Sequence, residues 1–182
     1  QVLAALRAGK HVFCEKPLCL TLNELAAIEA AAQGRPEQQL MVGFNRRFAP
    51  HVVKMKALLD PIDQPKSVII TVNAGEIPPD HWTQDPDVGG GRPNGAACPF
   101  IDLARHLGGH PITGQRVEEL GRHPALPIRD DKISLMLEFA DGSIAMVHYL
   151  ANGDKGFPKE RVEVFAAGRV LQLDNFRKMR GW

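Results

Sequence analysis

The stretch His11-Val12-Phe13-Cys14-Glu15-Lys16-Pro17-Leu18, "HVFCEKPL", decides how the chain folds. Val12, Phe13 and Cys14 run straight into an acid and a base, and Pro17 then stops the segment. An apolar run ending this way predicts a short buried strand, His11 to Cys14, whose exit loop begins with a Glu-Lys pair. Upstream, Val2, Leu3 and Leu6 followed by Gly9 predict the last turns of a helix with a glycine stop. Downstream, Thr21-Leu22-Asn23-Glu24 fits a capping box, and Leu25, Ile28 and the alanines to Ala32 keep helical spacing until Gly34. "QLMVGFNRRF" (39–48) then supplies a second short strand, Leu40 to Phe44. Helix, strand, helix, strand predicts parallel βαβ architecture, in which strand ends face ligands.

The organisation changes after Pro50. A helix is predicted from Pro50 to Leu59, because proline suits the first helical position and Val52, Met55 and Leu59 share a face. Ser67 to Asn73, "SVIITVN", is a strand, and Ala74 to Ala97 turns to Gly, Pro, Asp and Asn, the composition of a long functional loop. A short helix follows from Pro99 to Leu107. In the last third "KISLMLEF" and "SIAMVHYL" flank Asp141-Gly142, a two-residue hairpin signal, and "ERVEVFAA" and "RVLQLD" flank Gly168. With Val117 and Ser67 to Asn73 these make a mostly antiparallel sheet of about five or six strands covered on one side by helices. The fold class is α/β followed by α+β.

Composition excludes several functions. Of 182 residues 44% are hydrophobic and 24% charged, as in a soluble globular protein. Lys plus Arg number 22 against 21 Asp plus Glu, so no global field draws in nucleic acid or an acidic membrane. No apolar run approaches the roughly 18 residues that cross a bilayer, and no signal peptide opens the chain, which makes the cytoplasm the default. Cys14, Cys19 and Cys98 form no CxxC pair, and the seven histidines are scattered without an HExxH motif, so neither a disulfide framework nor a metal site is expected. The chain opens inside an apolar-periodic segment without an initiator Met and reads as a fragment.

Several residues could carry chemistry, each with a plainer alternative. Lys16 at a strand end could donate to a cofactor ribose or a substrate hydroxyl, or could form a surface ion pair with Glu15. Asn45, Arg46 and Arg47 follow the second strand in the same way. The arginines could hold a diphosphate or carboxylate by bidentate hydrogen bonds, or the loop could be solvated and anchored by Phe44 and Phe48. Gly89-Gly90-Gly91 could admit a ligand or simply bend. Trp82 could stack on a ring or pack. Asp102 and His106, four apart on one helix face, permit an acid-base couple or a local side-chain pair.

Taken together, "AGKHVFCEKPL", "VGFNRRFAP", "DHWTQDPDVGGGR" and "CPFIDLARHLGG" resemble, in this order and spacing, the Gfo/Idh/MocA family of nicotinamide-dependent oxidoreductases. The resemblance covers essentially the whole chain. The "NAGEIPPDHWTQDP" loop further resembles the oxidoreductase half of members fused to a zinc-type alcohol dehydrogenase-like half. The resemblance implies that residues 1–48 are the C-terminal part of a Rossmann dinucleotide-binding domain, with the glycine-rich loop expected upstream of Gln1. It implies that residues 49–182 are an incomplete C-terminal substrate and oligomerisation domain. It implies NAD or NADP as cofactor, a small sugar-type substrate, no nucleic acid or membrane partner, and a homo-oligomer formed through the open sheet.

The family lysine maps onto Lys16, where the resemblance implies contact with the nicotinamide ribose and the substrate hydroxyl. Glu15 and Pro17 complete the motif, Asn45 and Arg46 fall where the family lines the cofactor pocket, and Trp82 is counted with them among the expected cofactor-binding residues. Members carry an Asp or Gly at the position of Gly95, a His at the position of Pro99 and an Asp at Asp102. That His serves as acid or base, and proline has no titratable group, a loss on the order of 10² to 10⁴ in rate. Proton transfer then falls to His106 or Lys16, with Asp102 in support, or the chain is an impaired homologue or a binding and oligomerisation module. On this reading the full-length protein is a dehydrogenase that moves a hydride between nicotinamide and a hydroxyl-bearing carbon of a sugar, sugar nucleotide or polyol. The fragment alone is expected to be inactive.

Overall fold

The computed structural model describes residues 1–85, 87–126 and 128–182, with the side chains of residues 93 and 94 excepted. Pro86 of the "DHWTQDP" stretch therefore lies outside the described residues. The chain divides into two compact units, Gln1–Phe44 with Trp82–Cys98, and Asn45–His81 with Pro99–Trp182.

In the first unit α1 (Val2–Arg7) leads through Gly9, at φ +74°, into β1 (Val12–Cys14). The helix α2 (Leu22–Gln33) crosses over to β2 (Leu40–Val42), which pairs with β1 in parallel at Val12↔Leu40 and Cys14↔Val42. The Thr21 hydroxyl accepts from the Glu24 amide at 3.2 Å while the Glu24 carboxylate accepts from the amides of Leu20 and Thr21, so the capping box fixes where α2 starts. Those amides hold the Glu24 carboxyl below its ordinary pKa. Leu6 and Ile28 are the buried side chains of the two helices. β2 is shorter than its apolar run. The Gly43 amide still donates to Cys14 at 2.8 Å, but the Phe44 amide turns back onto the Val42 carbonyl at 2.8 Å and ends the ladder.

The segment expected to be a loop up to Ala97 is partly helical. A 3-10 turn spans Trp82–Gln84 and a π-helical turn spans Pro93–Ala97, running directly into α4 (Cys98–Gly108). Pro99 is thus the second residue of α4 rather than the first of an isolated helix. A proline there cannot donate to the carbonyl four residues back, and its ring crowds that carbonyl, so the preceding turn widens.

The second unit is a mixed sheet packed on helices. Its strands are β3 (Ser67–Asn73), β4 (Ile112–Glu119), β5 (Lys132–Phe139), β6 (Ile144–Leu150), β7 (Glu160–Ala166), β8 (Arg169–Asp174) and β9 (Lys178–Gly181). They lie in the order β4-β5-β6-β3-β7-β8-β9, antiparallel except where β3 runs parallel to β6. One face is buried. Val68, Ile70 and Val72 of β3 sit in register between Ala145, Val147 and Tyr149 of β6 and, on the other side, Val164 and Val162 of β7. Against that face lie Val52, Met55 and Leu59 of α3 (Pro50–Leu59) and Phe100, Leu103 and Leu107 of α4. The closeness of α4 to the sheet is set at Gly108, where a Cβ would stand 3.2 Å from the Phe139 ring. The opposite face is open, with Ile144 and Phe165 left 44% and 41% exposed. Asn175 and Phe176 both take positive φ, 48° and 56°, which makes the tight primed turn that returns the chain into β9.

Candidate functional site

The parallel pairing of β1 and β2 brings the "EKP" loop out beside the end of β2. The Glu15 carboxylate lies over Gly43, where a Cβ would meet its Oε1 at 3.1 Å, so glycine is needed for that approach. Glu15 and Lys16 are exposed and Pro17 is half-buried, joined to Lys16 by a cis peptide bond. The Lys16 ammonium does not turn to Glu15. Its Nζ donates to the Gly95 carbonyl at 2.8 Å, joining two residues 79 positions apart and tying the strand exit to the π-helical turn before α4.

The glycine run ahead of that turn is there for geometry. A Cβ on Gly89 would stand 2.8 Å from both the Thr83 Cα and the Trp82 carbonyl oxygen, and Gly90 and Gly91 take φ of +74° and +76°. The run folds back on the 3-10 turn that carries Trp82, whose side chain is 62% exposed.

In the second unit a 3-10 turn, Asn45–Phe48, presents two arginines to two different carboxylates. Arg46 forks onto Glu160, with Nε to Oε2 at 3.2 Å and Nη2 to Oε1 at 2.7 Å, and stacks 4.2 Å above the Phe100 ring. Glu160 is buried, 8% exposed, so the pair is a desolvated one with its acceptors filled. Arg47 forks onto Asp102, with Nε to Oδ2 at 3.0 Å and Nη2 to Oδ1. Asp102 therefore bonds to Arg47 and not to His106, and the two guanidinium groups lock the turn to β7 and to α4. Asn45 stays exposed.

His106 is half-buried one turn further along α4. Burial pushes its pKa below the ordinary value, and the positive charges of Arg47 and Lys56 add to this against the weaker opposing pull of Asp102 and Asp60. It is neutral near pH 7.

Of the residues singled out in the sequence, Glu15, Lys16, Pro17 and Trp82 fall in the first unit, and Asn45, Arg46, Asp102 and His106 in the second. Three partners escaped the sequence: Gly95 for Lys16, Glu160 for Arg46 and Arg47 for Asp102. Only the first had a local signal, a proline four residues after Gly95 that can offer its carbonyl no N–H.

Comparison with known proteins gives concordant results. The profile of the Gfo/Idh/MocA oxidoreductases, described as an oxidoreductase family with an NAD-binding Rossmann fold, matches residues 1–44. The chain is 31% identical over 182 residues to an uncharacterized oxidoreductase, YrbE, of Bacillus subtilis (strain 168), covering 95% of this chain and 51% of that protein. It is 28% identical to a myo-inositol 2-dehydrogenase of Thermotoga maritima, covering 97% and 53%. An oxidoreductase domain protein from Kribbella flavida superposes with a TM-score of 0.79 at 26% identity, over 100% of this chain and 54% of that one. The chain thus spans about half the length of the curated relatives it matches.

Proposed function

Because the chain belongs to the Gfo/Idh/MocA oxidoreductase family, we propose that the full-length protein is an NAD(P)-dependent dehydrogenase acting on a hydroxyl-bearing carbon of a polyol or sugar, sugar nucleotides included. The observation that carries this reading is Lys16 Nζ on the Gly95 carbonyl at 2.8 Å, which gathers the strand-exit lysine and the glycine-rich turn in one unit. The polyol substrate rests on the relative named a myo-inositol 2-dehydrogenase.

The donor set suits a nicotinamide nucleotide at its ribose end. An ammonium has three N–H donors. Gly95 takes one, and the other two are the donors assigned to a ribose hydroxyl and a substrate oxygen. Bound nicotinamide supplies the hydride acceptor. Lys16 handles the oxygen: as free amine it takes the hydroxyl proton while the carbinol carbon loses hydride, and in the reverse direction its ammonium polarises the carbonyl and returns that proton. Glu15, Pro17 and Trp82 are assigned to the cofactor side of this unit. Within the second unit Arg46 and Asp102 are filled by Glu160 and Arg47 and hold the Asn45–Phe48 turn against β7 and α4, and burial keeps His106 neutral near pH 7.

A second reading, favoured by the replacement of side-chain chemistry by a backbone carbonyl at Gly95, is a binding or assembly module. It would associate through the open sheet face around Ile144 and Phe165. Fluorescence titration of NADH and NADPH into the full-length protein separates the two. Saturable quenching supports the dehydrogenase. Absence of binding, with self-association by sedimentation, supports the module.

A further inference from the structure

The helices α3 and α4 end at one cavity of about 330 Å³. Lys56 and Asp60 line it from the end of α3, Asp63 and Lys66 from the loop that enters β3, and Gly109 and His110 from where the chain leaves α4. Its volume suits a small ligand, since about 300 Å³ is the usual lower end for such sites. Lys66 is only 7% exposed although it carries an ammonium group. Its amide donates to the Ser143 hydroxyl at 2.8 Å and its carbonyl accepts from the Ile144 amide at 3.0 Å, which fixes its backbone at the entry to β3. Among the described residues the Gln64 carbonyl is the acceptor that its Nζ reaches, at 3.4 Å, longer than an ordinary N–H···O bond. An ammonium has three N–H donors, and leaving them unfilled in a buried place is costly. Acceptors for Lys66 therefore have to come from whatever occupies the cavity.

The charges around the cavity select the kind of occupant. Lys56 pairs with Asp60, so these two offset each other, and His110 leans on Asp141 at 3.5 Å. Lys66 and Asp63 then add one charge of each sign. A cation entering the cavity would meet the ammonium groups of Lys56 and Lys66. An anion would meet two carboxylates and the negative ends of two helices. A neutral molecule with several hydroxyls avoids both conflicts, because a hydroxyl oxygen accepts from Lys66 while a hydroxyl proton is donated to Asp63. We infer that this cavity is a binding site for a small neutral polyhydroxylated molecule, a polyol or a sugar, with Lys66 as donor and Asp63 as acceptor. Every residue of the site belongs to the second unit, so the site stands whether or not the dehydrogenase reading does.

Ile62 also lines the cavity and supplies the probe. The full-length protein is labelled with carbon-13 at its isoleucine methyls, and myo-inositol, inorganic phosphate and choline are titrated in separately while the Ile62 signal is followed by NMR. Myo-inositol should shift that signal saturably, and the two ions should not. Lys66→Met keeps the length of the side chain and removes its donors, and should raise the half-saturating concentration about tenfold, the factor for loss of one hydrogen bond to a charged group. Asp63 is exposed, so Asp63→Ala spares the fold and gives a second variant in which the same rise of about tenfold is expected. A cavity that holds water alone would leave Ile62 unmoved by myo-inositol, and that result would overturn the inference. So would a saturable shift with phosphate or choline in place of the polyol, or native affinity for myo-inositol in either variant.

Discussion

Arg47 and Asp102 face each other as a two-bond fork, with Nε to Oδ2 at 3.0 Å, and the carboxylate side chain is only 10% exposed. The aspartate on the start of α4 is therefore committed to holding the Asn45–Phe48 turn against the helix. Asp102→Asn keeps the shape but removes the charge that both donors of Arg47 need. It should cost ~2 kcal/mol and lower Tm by about 4–8 °C for a chain of this size. An unaltered Tm by scanning calorimetry would show that the fork contributes nothing.

Arg46 has a geometry that lysine cannot copy. Its planar group forks onto Glu160 and lies over the Phe100 ring at the same time. Arg46→Lys keeps the charge, yet loses the second hydrogen bond and the stacking, a penalty of about 1–2 kcal/mol. Urea unfolding should show a lower midpoint at unchanged slope. A midpoint equal to that of the native chain would contradict this.

Acid should weaken the fold through His106. Its folded pKa lies below the ordinary value near 6.5, depressed by burial and then by Arg47 and Lys56. Between the folded and the ordinary value the unfolded chain binds more protons, so stability falls as pH drops from 6.5 towards the folded pKa and levels off below it. His106→Gln should flatten the stability curve in that window, measured by urea unfolding at a series of pH values. An unchanged slope would remove His106 from the account.

Gly89 lies so close to the Trp82–Thr83 backbone that no side chain fits. Gly89→Ala must push that backbone aside, a strain of about 1–3 kcal/mol that falls on one loop. The fluorescence of Trp82 and faster proteolysis between residues 82 and 98 should report it, and native values of both would contradict it.

Much of this fold was legible in the chain. Thr21 with Glu24 marked the start of α2, Pro50 that of α3, and the alternation in "KISLMLEF" assigned Leu135 and Leu137 to one face, because each signal is local and set by backbone chemistry. The strand β9 was not legible, since "KMRG" has no apolar alternation and its turn places Phe176 where a glycine would have announced it. The site divided along the same line. That Lys16 stands at a strand exit follows from "HVFCEKPL", but that Arg46 meets Glu160, 114 residues away, follows only from how β7 lies in the sheet. The helix-face reading of Asp102 with His106 gave way to Arg47 because a guanidinium fork outcompetes a neutral imidazole for a carboxylate.

The most direct measurement is steady-state oxidation of myo-inositol and related polyols and aldoses with NAD+ and NADP+ by the full-length protein, native against Lys16→Ala. If Lys16 handles the substrate oxygen, kcat falls on the order of 10² to 10⁴ in the variant while the fold is kept. Equal kcat in the two proteins would contradict the assignment of Lys16.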